Sequence, residues 1–336
     1  MQATKTIIDN AAPANLQLLQ SLVHADLMRV NHAMSEALSG DIPLIQRLSS
    51  HIIAAGGKRL RPSLTLVSAH LFNYEGDRHI ALAACVEFIH TATLLHDDVV
   101  DESTLRRGEA TANALFGNKA SVLVGDFLLS RAFQMMVADG SLKVLKILSD
   151  AASIISKGEV KQLIVSHNPR ATEAEYLDVI GSKTAALFAA ACELGAVVSK
   201  REQEEDKLRA YGYNLGVAFQ LIDDALDYIA SQEKLGKTIG DDFRDGKITL
   251  PIILAYANGD DAEKAFWHKT LEDHEQSPHD FDHALTLMNK YGTIKETIER
   301  ARNYGFSALD SIKHLPHSTA KQALIDTVAF CIDREY

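Results

Sequence analysis

The stretch TLLHDDVVD at residues 93–101 places three aspartates inside an apolar segment with helical periodicity. The stretch QLIDDALDY at residues 220–228 repeats the spacing, with two adjacent aspartates and a third aspartate three positions later. Residues four and seven positions apart lie on one face of a helix. Asp97 therefore shares a face with Asp101 and with His90, whereas the aspartate between them lies at the edge of that face.

In the second stretch, Gln220, Asp223 and Asp227 share a helical face in the same way. Leucine, isoleucine, valine and alanine flank both sets of aspartates, which is unlike an acidic stripe on a solvated surface. Partly buried carboxylates are costly unless they are paired or bound to a metal, and like charges one turn apart repel. We therefore expect both acidic faces to line one shared pocket.

Aspartates without cysteine or histidine partners at metal-ligand spacing favour a hard cation. Mg²⁺ takes few carboxylate oxygens and completes its coordination with water and substrate phosphate. The sequence thus predicts a phosphorylated ligand that Mg²⁺ bridges to both acidic faces. The alternating acidic loop of an EF-hand and the GxxxxGK[ST] segment of a P-loop are both missing from the sequence, which argues against those two classes of site.

Composition indicates an all-α protein. The chain has 336 residues, 46 % of them hydrophobic, and only 7 prolines. Helical periodicity continues without a linker or repeat, so we expect one domain over residues 1–336, with residues 1–25 peripheral. The net charge of -11 argues against a nucleic-acid partner. Three dispersed cysteines, and no run of about 18 uncharged apolar residues, predict a cytoplasmic protein without a transmembrane segment.

A site for phosphates also needs cationic side chains. Short basic segments supply them near both acidic stretches: GGKRLRP, LRRG, GSKTA and LGKT. The basic residues of these segments are Lys58, Arg59, Arg61, Arg106, Arg107, Lys183 and Lys237. The adjacent pair Arg106 and Arg107 follows the first acidic stretch by five residues and could hold two anions at once.

Taken together, these segments resemble the all-trans polyprenyl diphosphate synthases, in particular the long-chain members that make quinone side chains such as that of ubiquinone. The segments GGKRLRP, FIHTATLLHDDVVDESTLRRG, GSKT, FQLIDDALDY and LGKTIGDDFRDGKITLP stand in that family's order within residues 45–335. The resemblance implies a single large helical bundle with a central cavity. It also implies a prenyltransferase that condenses isopentenyl diphosphate with an allylic diphosphate. The enzyme of this family would be a homodimer, with three Mg²⁺ ions in each substrate-bound site.

The resemblance further implies roles for individual residues. Those implied in catalysis are Asp97, Asp98, Asp101, Arg106, Lys183, Asp223, Asp224 and Lys237. Those implied as metal ligands are Asp97, Asp101, Asp223 and, through water, Asp227. The allylic diphosphate would contact Arg106, Lys183, Thr184, Gln220 and Lys237. Isopentenyl diphosphate would contact Lys58, Arg61, His90 and Arg107. Short-chain members carry a loop lysine where this chain has Asp241, so no second loop lysine is inferred.

Small residues that precede the first acidic motif on the same helix predict a long product. Thr93 and Ala92 lie four and five residues before Asp97, roughly 6 to 8 Å along a helix axis. Short-chain members of the family have bulky aromatic residues near this position, which close the product tunnel. Here we expect an open tunnel with a deeper floor at Phe133, Met136 or both. The predicted product has about eight to ten isoprene units, built on farnesyl or geranylgeranyl diphosphate, and its release involves transient contact with a membrane surface.

Four alternatives compete with this prediction on the sequence. A metal-buffering or scaffolding helical protein would explain the carboxylates but not the ordered lysines and arginines. A shorter-chain synthase would share the chemistry but stop at three or four isoprene units. A non-catalytic partner subunit would typically lack intact aspartate motifs, whereas both are intact here. A class I terpene cyclase shares one aspartate-rich helix, but its second metal motif is differently spaced and it needs no isopentenyl site, so GGKRLRP and RRG argue against it.

Overall fold

A computed structural model describes residues 15–40, 42–54, 57–106, 108–229 and 239–333. Within these ranges the fold is almost entirely helical, and the strands form one antiparallel hairpin with Leu105 opposite Ala110. The predicted all-α class is therefore confirmed. The elements are α1 (Gln17–Ala37), α2 (Pro43–Ala54), α3 (Leu60–His70), α4 (Arg78–Val100), β1 (Leu105–Arg106), β2 (Glu109–Ala110), α5 (Ala112–Phe116), α6 (Asn118–Asp139), α7 (Leu142–Val165), α8 (Glu173–Ile180), the π-helix π1 (Gly181–Ala185), α9 (Ala186–Val198), α10 (Glu202–Leu226), α11 (Asp241–Arg244), α12 (Leu250–Asn258), α13 (Asp261–Trp267), the π-helix π2 (His268–Glu272), α14 (Asp280–Tyr291), α15 (Thr293–Ile312) and α16 (Thr319–Asp333).

Helix α4 is central to the fold, which explains why it is apolar almost all round. It packs against α1, α3, α6 and α9, so residues on several of its sides are buried. Phe88 and Ile89 are fully enclosed in the larger of two hydrophobic cores. Burial on several sides favours apolar residues at nearly every position, and the polar residues that remain are concentrated at the last turns. Those turns carry the first aspartate motif.

The second core lies around the end of α10. It is formed by α10 together with α12, α14 and α15, and it contains the buried Trp267 and Phe243. The two cores meet α10 at different levels, because Leu215 belongs to the larger core and Leu221 to the smaller. Helix α10 therefore holds the second aspartate motif against the rest of the bundle.

The expected peripheral position of residues 1–25 does not hold for the first helix. In α1, Leu19 and Val23 have only 2 % and 0 % of their surface exposed and belong to the larger core. The helix is amphipathic, and its apolar face packs against α4 and α3. Residues 1–14 lie outside the described residues.

Three helical stretches are long and apolar enough to cross a membrane by length and composition. They are Arg78–Val100, Asn118–Asp139 and Glu173–Val198, and 72 %, 39 % and 83 % of their most apolar windows are buried inside the protein. Packing in the core thus accounts for the apolar character of the first and third stretches. The second stretch, which is α6, leaves most of its apolar window uncovered.

Candidate active site

A cavity of about 730 Å³ lies where the carboxyl ends of α4 and α10 approach each other. Asp101 caps the end of α4 and Asp227 caps the end of α10. Asp97 and Asp223, one turn earlier in each helix, also line the cavity. The carboxyl end of a helix carries partial negative charge, so acidic side chains gathered there need cationic partners. The expectation that one pocket receives both acidic faces is confirmed.

The first motif already contacts cationic side chains. The ammonium group of Lys183 lies 3.3 Å from Asp97. Burial, together with the nearby charge of Asp101, raises the pKa of Asp97, whereas Lys183 opposes that rise. Asp98 is 4 % exposed and accepts hydrogen bonds from Nε and Nη2 of Arg106, at 2.9 and 2.6 Å. The short β1–β2 hairpin that follows α4 thereby returns Arg106 to the end of the helix.

In the second motif, Asp224 differs from its neighbours. Its carboxylate is buried and accepts hydrogen bonds from the Tyr176 hydroxyl at 2.5 Å and the Gln220 amide at 2.7 Å. Burial, assisted by the charge of Asp242, raises the pKa of Asp224 to about 8. These two contacts occupy both oxygens of Asp224, so its carboxylate orients Gln220. Asp227 accepts a hydrogen bond from the backbone N–H of Asp242 at 3.1 Å.

A π-helical turn presents two of the predicted ligand-binding residues to the cavity. The turn π1 joins α8 to α9 and contains Lys183 and Thr184, which both line the cavity. π-turns insert one residue into a helix and occur frequently at functional sites. The hydroxyl of Thr184 donates a hydrogen bond to Gln220 Oε1 at 2.9 Å, which links π1 to α10. Lys183 also lies 2.8 Å from Glu159 of α7.

The predicted isopentenyl site is another part of the same cavity wall. Lys58, Arg61 and His90 all line the cavity. Arg61 Nη1 lies 3.1 Å from His90 Nε2, and its guanidinium group stacks 4.5 Å above the ring of Phe188. The Lys58 ammonium group lies 4.6 Å from the centre of the Phe330 ring. The other two predicted cations, Arg107 and Lys237, lie outside the described residues.

The residues predicted to set product length separate into two groups. Thr93 lines the cavity. Ala92 and Met136 are buried in the larger core, and Phe133 is 38 % exposed on α6. Among the described residues these three do not line the cavity. The structure thus places only Thr93 where a growing chain could touch it, and the roles of the other three stay predictions.

Among the cavity residues without a predicted role are Lys247 and Glu159. Lys247 lies 3.4 Å from Asp101 and 3.8 Å from Asp242, so it connects the first motif to the loop after the second. Its segment GDDFRDGKITLP is part of the family pattern, and that is the signal that could have identified it. Glu159 lies in the wall beside Lys183, and burial raises its pKa to about 7. No short motif marks it in the sequence.

A second group of potential metal ligands lies among α1, α3 and α4. The side chains of Asp26, His70 and His79 place their ligand atoms within 4.8 Å of one another. Asp26 Oδ2 accepts hydrogen bonds from both histidines, at 2.9 and 3.1 Å, and Arg29 lies 3.3 Å from its other oxygen. Arg29 also pairs with Asp77, and the hydrogen bonds of Asp26 to both histidines connect α1 to α3 and α4.

The family model described as polyprenyl synthetase matches residues 42–288. The chain belongs to the polyprenyl synthetase family. It is 46 % identical over 322 residues to octaprenyl diphosphate synthase of Escherichia coli (strain K12), covering 96 % of this chain and 99 % of the relative. The predicted family and the prenyltransferase class are confirmed.

Solved structures agree with that assignment. The chain is similar to a polyprenyl synthase from Caulobacter crescentus CB15 complexed with calcium and isoprenyl diphosphate, with a TM-score of 0.93, 45 % identity and coverage of 97 % and 100 % of the two chains. It is also similar to a decaprenyl diphosphate synthase from Rhodobacter capsulatus, with a TM-score of 0.92, 45 % identity and coverage of 96 % and 100 %. These relatives place the chain among the long-chain all-trans polyprenyl diphosphate synthases.

Proposed function

We propose that this protein extends farnesyl or geranylgeranyl diphosphate with isopentenyl diphosphate to all-trans products of about eight to ten isoprene units. One observation carries the proposal: a single cavity is lined by the two aspartate-bearing helix ends, by Lys183 and by the Arg61–His90 pair. The acidic ends and Lys183 suit a metal-bound allylic diphosphate. The pair Arg61 and His90 suits a second diphosphate, and the long-chain relatives support the product length.

The donors fit a hard divalent cation. Oxygen ligands come from Asp97 and Asp101 on one side and from Asp223 and Asp227 on the other, all at one cavity. Burial raises the pKa of Asp97, and Asp101 adds to that rise, so the carboxylates need positive charge to stay ionised together. The first pair would hold two Mg²⁺ ions and the second pair a third. Bound Mg²⁺ would neutralise the diphosphate and assist cleavage of its allylic C–O bond.

The chain's own residues then supply binding and electrostatic stabilisation. When the C–O bond breaks, its electron pair leaves with pyrophosphate, whose growing negative charge Lys183 and Arg106 stabilise. The double bond of isopentenyl diphosphate, held by Arg61 and His90, attacks the allylic cation and forms the new C–C bond. The proton that is lost passes to the departing pyrophosphate. Apolar walls that include Phe188 and Phe219 exclude water from the cation.

We further propose a homodimer formed through α6 and α7. Both helices carry large exposed apolar side chains, which in a soluble protein commonly mark an interaction surface. These residues include Leu123, Val137, Leu142, Leu163 and Ile164. A second copy of the chain would cover the apolar window of α6, which is only 39 % buried within one chain.

The cellular setting we propose is a cytoplasmic enzyme that touches the membrane surface when it releases its product. Cys85, Cys192 and Cys331 are all buried and form no disulfide with one another, which suits a reducing compartment. A product of about eight to ten isoprene units is too apolar to leave into water. Its use as the side chain of ubiquinone or a related quinone would require transfer to a membrane.

A product assay tests the proposed activity. The purified protein is incubated with farnesyl diphosphate, labelled isopentenyl diphosphate and Mg²⁺, with an EDTA control, and the dephosphorylated products are separated against chain-length standards. Metal-dependent products near eight to ten units are expected. Products of three or four units would retain the chemistry and overturn the length. Absence of elongation by folded protein would instead support the partner-subunit alternative.

A further inference from the structure

Glu159 is an acidic residue at the cavity that the proposed metal and diphosphate contacts do not use. It lies on α7, whereas the two aspartate motifs lie on α4 and α10. Its Oε2 accepts a hydrogen bond from the Lys183 ammonium group at 2.8 Å. Its Oε1 is buried and, within the part of the chain that the structure describes, has no hydrogen-bond partner. The hydrogen bond from Lys183 is therefore the contact that compensates for the partial burial of the Glu159 carboxylate.

The backbone around this contact is held at close range. A Cβ atom at Gly158 would lie 2.8 Å from the backbone nitrogen of Lys183 and 2.8 Å from Ser182 Cβ, so only glycine permits α7 to pass this near to π1. On the opposite side, a Cβ at Gly216 would lie 2.6 Å from Ala185 Cα. The turn that carries Lys183 is thus fixed between α7 and α10. Because Glu159 directly follows Gly158, this close packing places its side chain beside Lys183.

Lys183 lies between two carboxylates of different kinds. Asp97 is 3.3 Å from its ammonium nitrogen and Glu159 is 2.8 Å from it. Asp97 is a proposed metal ligand, so its oxygens turn to the cation when the site is loaded. A lysine side chain is long and flexible, and it needs a fixed acceptor if its ammonium group is to keep one direction. Glu159 can remain that acceptor in the loaded site.

We propose that Glu159 is a positioning residue that holds the ammonium group of Lys183 toward the allylic diphosphate once Asp97 binds metal. The inference rests on the proposed function and deepens it. Glu159 acts through Lys183 and touches neither substrate. Replacing it should therefore weaken allylic diphosphate binding and leave isopentenyl diphosphate binding unchanged.

Calorimetric titration with farnesyl diphosphate and saturating Mg²⁺, in the absence of isopentenyl diphosphate, measures the effect directly. Glu159→Gln keeps the size of the side chain and replaces the charge-assisted hydrogen bond to Lys183 with a weaker one to a neutral acceptor, and we expect the dissociation constant to rise about tenfold. Glu159→Asp retains the charge and should recover part of the affinity. Asp150→Asn is the matched control, because Asp150 lies on the same helix and forms an exposed pair with Lys146 at 2.7 Å. Unchanged affinity in folded Glu159→Gln would overturn the inference.

A double-mutant cycle separates positioning from direct action. In a Lys183→Ala background, Glu159→Gln should change the farnesyl diphosphate affinity by less than about twofold, because the lysine that it orients is gone. Independent, multiplying effects of the two substitutions would contradict the inference. A raised Mg²⁺ requirement with unchanged farnesyl diphosphate affinity would contradict it too, because it would make Glu159 a metal ligand.

The binding readout is independent of the proposed activity. If the wild-type protein fails to elongate farnesyl diphosphate in the product assay, the proposed function fails, while the titrations still decide whether Glu159 acts through Lys183. If the wild-type protein elongates and the Glu159→Gln titration matches the wild type, only the positioning role fails. With turnover present, the Michaelis constant for farnesyl diphosphate should rise in Glu159→Gln and that for isopentenyl diphosphate should not.

Discussion

The ammonium nitrogen of Lys247 lies 3.4 Å from a carboxylate oxygen of Asp101. Because Lys247 follows the second aspartate motif and Asp101 ends the first, this ion pair joins the two halves of the site. The same nitrogen lies 3.2 Å from Asp245 and 3.8 Å from Asp242. Burial alone would lower the pKa of Lys247, but these three carboxylates outweigh it and the net shift is upward. The lysine stays charged and offsets repulsion among the acidic groups.

Lys247→Met should make the stability of the protein depend more strongly on metal. We expect the free energy of unfolding in EDTA to fall by about 2 kcal/mol, because three carboxylates lose a shared cation. Added Mg²⁺ should recover part of that loss, since Asp101, one of these three carboxylates, is also a proposed metal ligand. Urea denaturation in EDTA and in Mg²⁺ measures both effects. Lys269→Met is the control, because its pair with Asp280 is a half-exposed one at 3.8 Å; equal losses in the two variants would contradict the prediction.

The buried Asp224 predicts a pH dependence of stability in the metal-free protein. Its pKa rises from an ordinary 3.8 to about 8, first through burial and then through the charge of Asp242. Between those values the folded protein holds a proton that the unfolded chain releases. The free energy of unfolding should therefore decrease as pH rises from about 4 to about 8, by at most about 1.4 kcal/mol per pH unit from this group.

Asp224→Asn tests that assignment, since an amide keeps the shape and cannot titrate. Urea midpoints of the variant in EDTA should fall less steeply with pH than those of the wild type. Glu159, whose pKa burial raises to about 7, accounts for a remaining slope of the same sign. Asp150→Asn, which removes an exposed carboxylate, should keep the wild-type slope. If Asp224→Asn also kept the wild-type slope, the proton that the folded protein retains would belong to a group other than Asp224.

Local periodicity explains how much of the site the sequence reveals. Asp97, Asp101, Asp223 and Asp227 reach the cavity as predicted because a spacing of 3.6 residues per turn decides which residues share a helical face. That spacing holds before any packing is known. The apolar surroundings of both motifs likewise showed that the helices are buried, which the core around Phe88 confirms.

Contacts between distant segments could not be predicted in this way. The direction of Lys183 depends on a π-turn and on the close approach of Gly158, and neither follows from residue spacing. Lys247 reaches Asp101 only because the loop after α10 returns to the end of α4. Ala92 and Thr93 are adjacent, yet one faces the core and the other the cavity, and that difference depends on how α4 is rotated within the bundle.

Thr93 is therefore the position at which product length should be tested. Thr93→Phe places a ring in the cavity roughly 6 Å along α4 from Asp97, where it should block the growing chain. We expect shorter products at a retained rate of the first condensation, measured by chromatography of the dephosphorylated products. Ala84→Val is the control, because Ala84 is fully buried in the core on the same helix and the added volume should lower stability by about 1 to 3 kcal/mol without shortening the product. Unchanged product length in folded Thr93→Phe would contradict the tunnel hypothesis.

The apolar side chains on α6 predict the surface of a dimer. Leu123 and Val137 are each 67 % exposed and are separated by nearly four full turns, so they lie close to one line along the helix. Charged residues are depleted from the centre of a protein interface, because an unpaired charge is poorly tolerated there. The double variant Leu123→Lys, Val137→Lys should therefore sediment as a monomer in analytical ultracentrifugation, whereas the wild type should sediment as a dimer.

Met28→Lys provides the matched control for that experiment. Met28 is 58 % exposed on α1, which is not part of the proposed interface, so a lysine there should leave the sedimentation of the dimer unchanged. A monomeric wild type would overturn the homodimer itself. A double variant that stays dimeric would retain the homodimer and remove α6 from its interface, because two buried lysines without acceptors would cost more than such a contact could supply. The three proteins together thus decide both whether a second copy binds and whether it covers this face of α6.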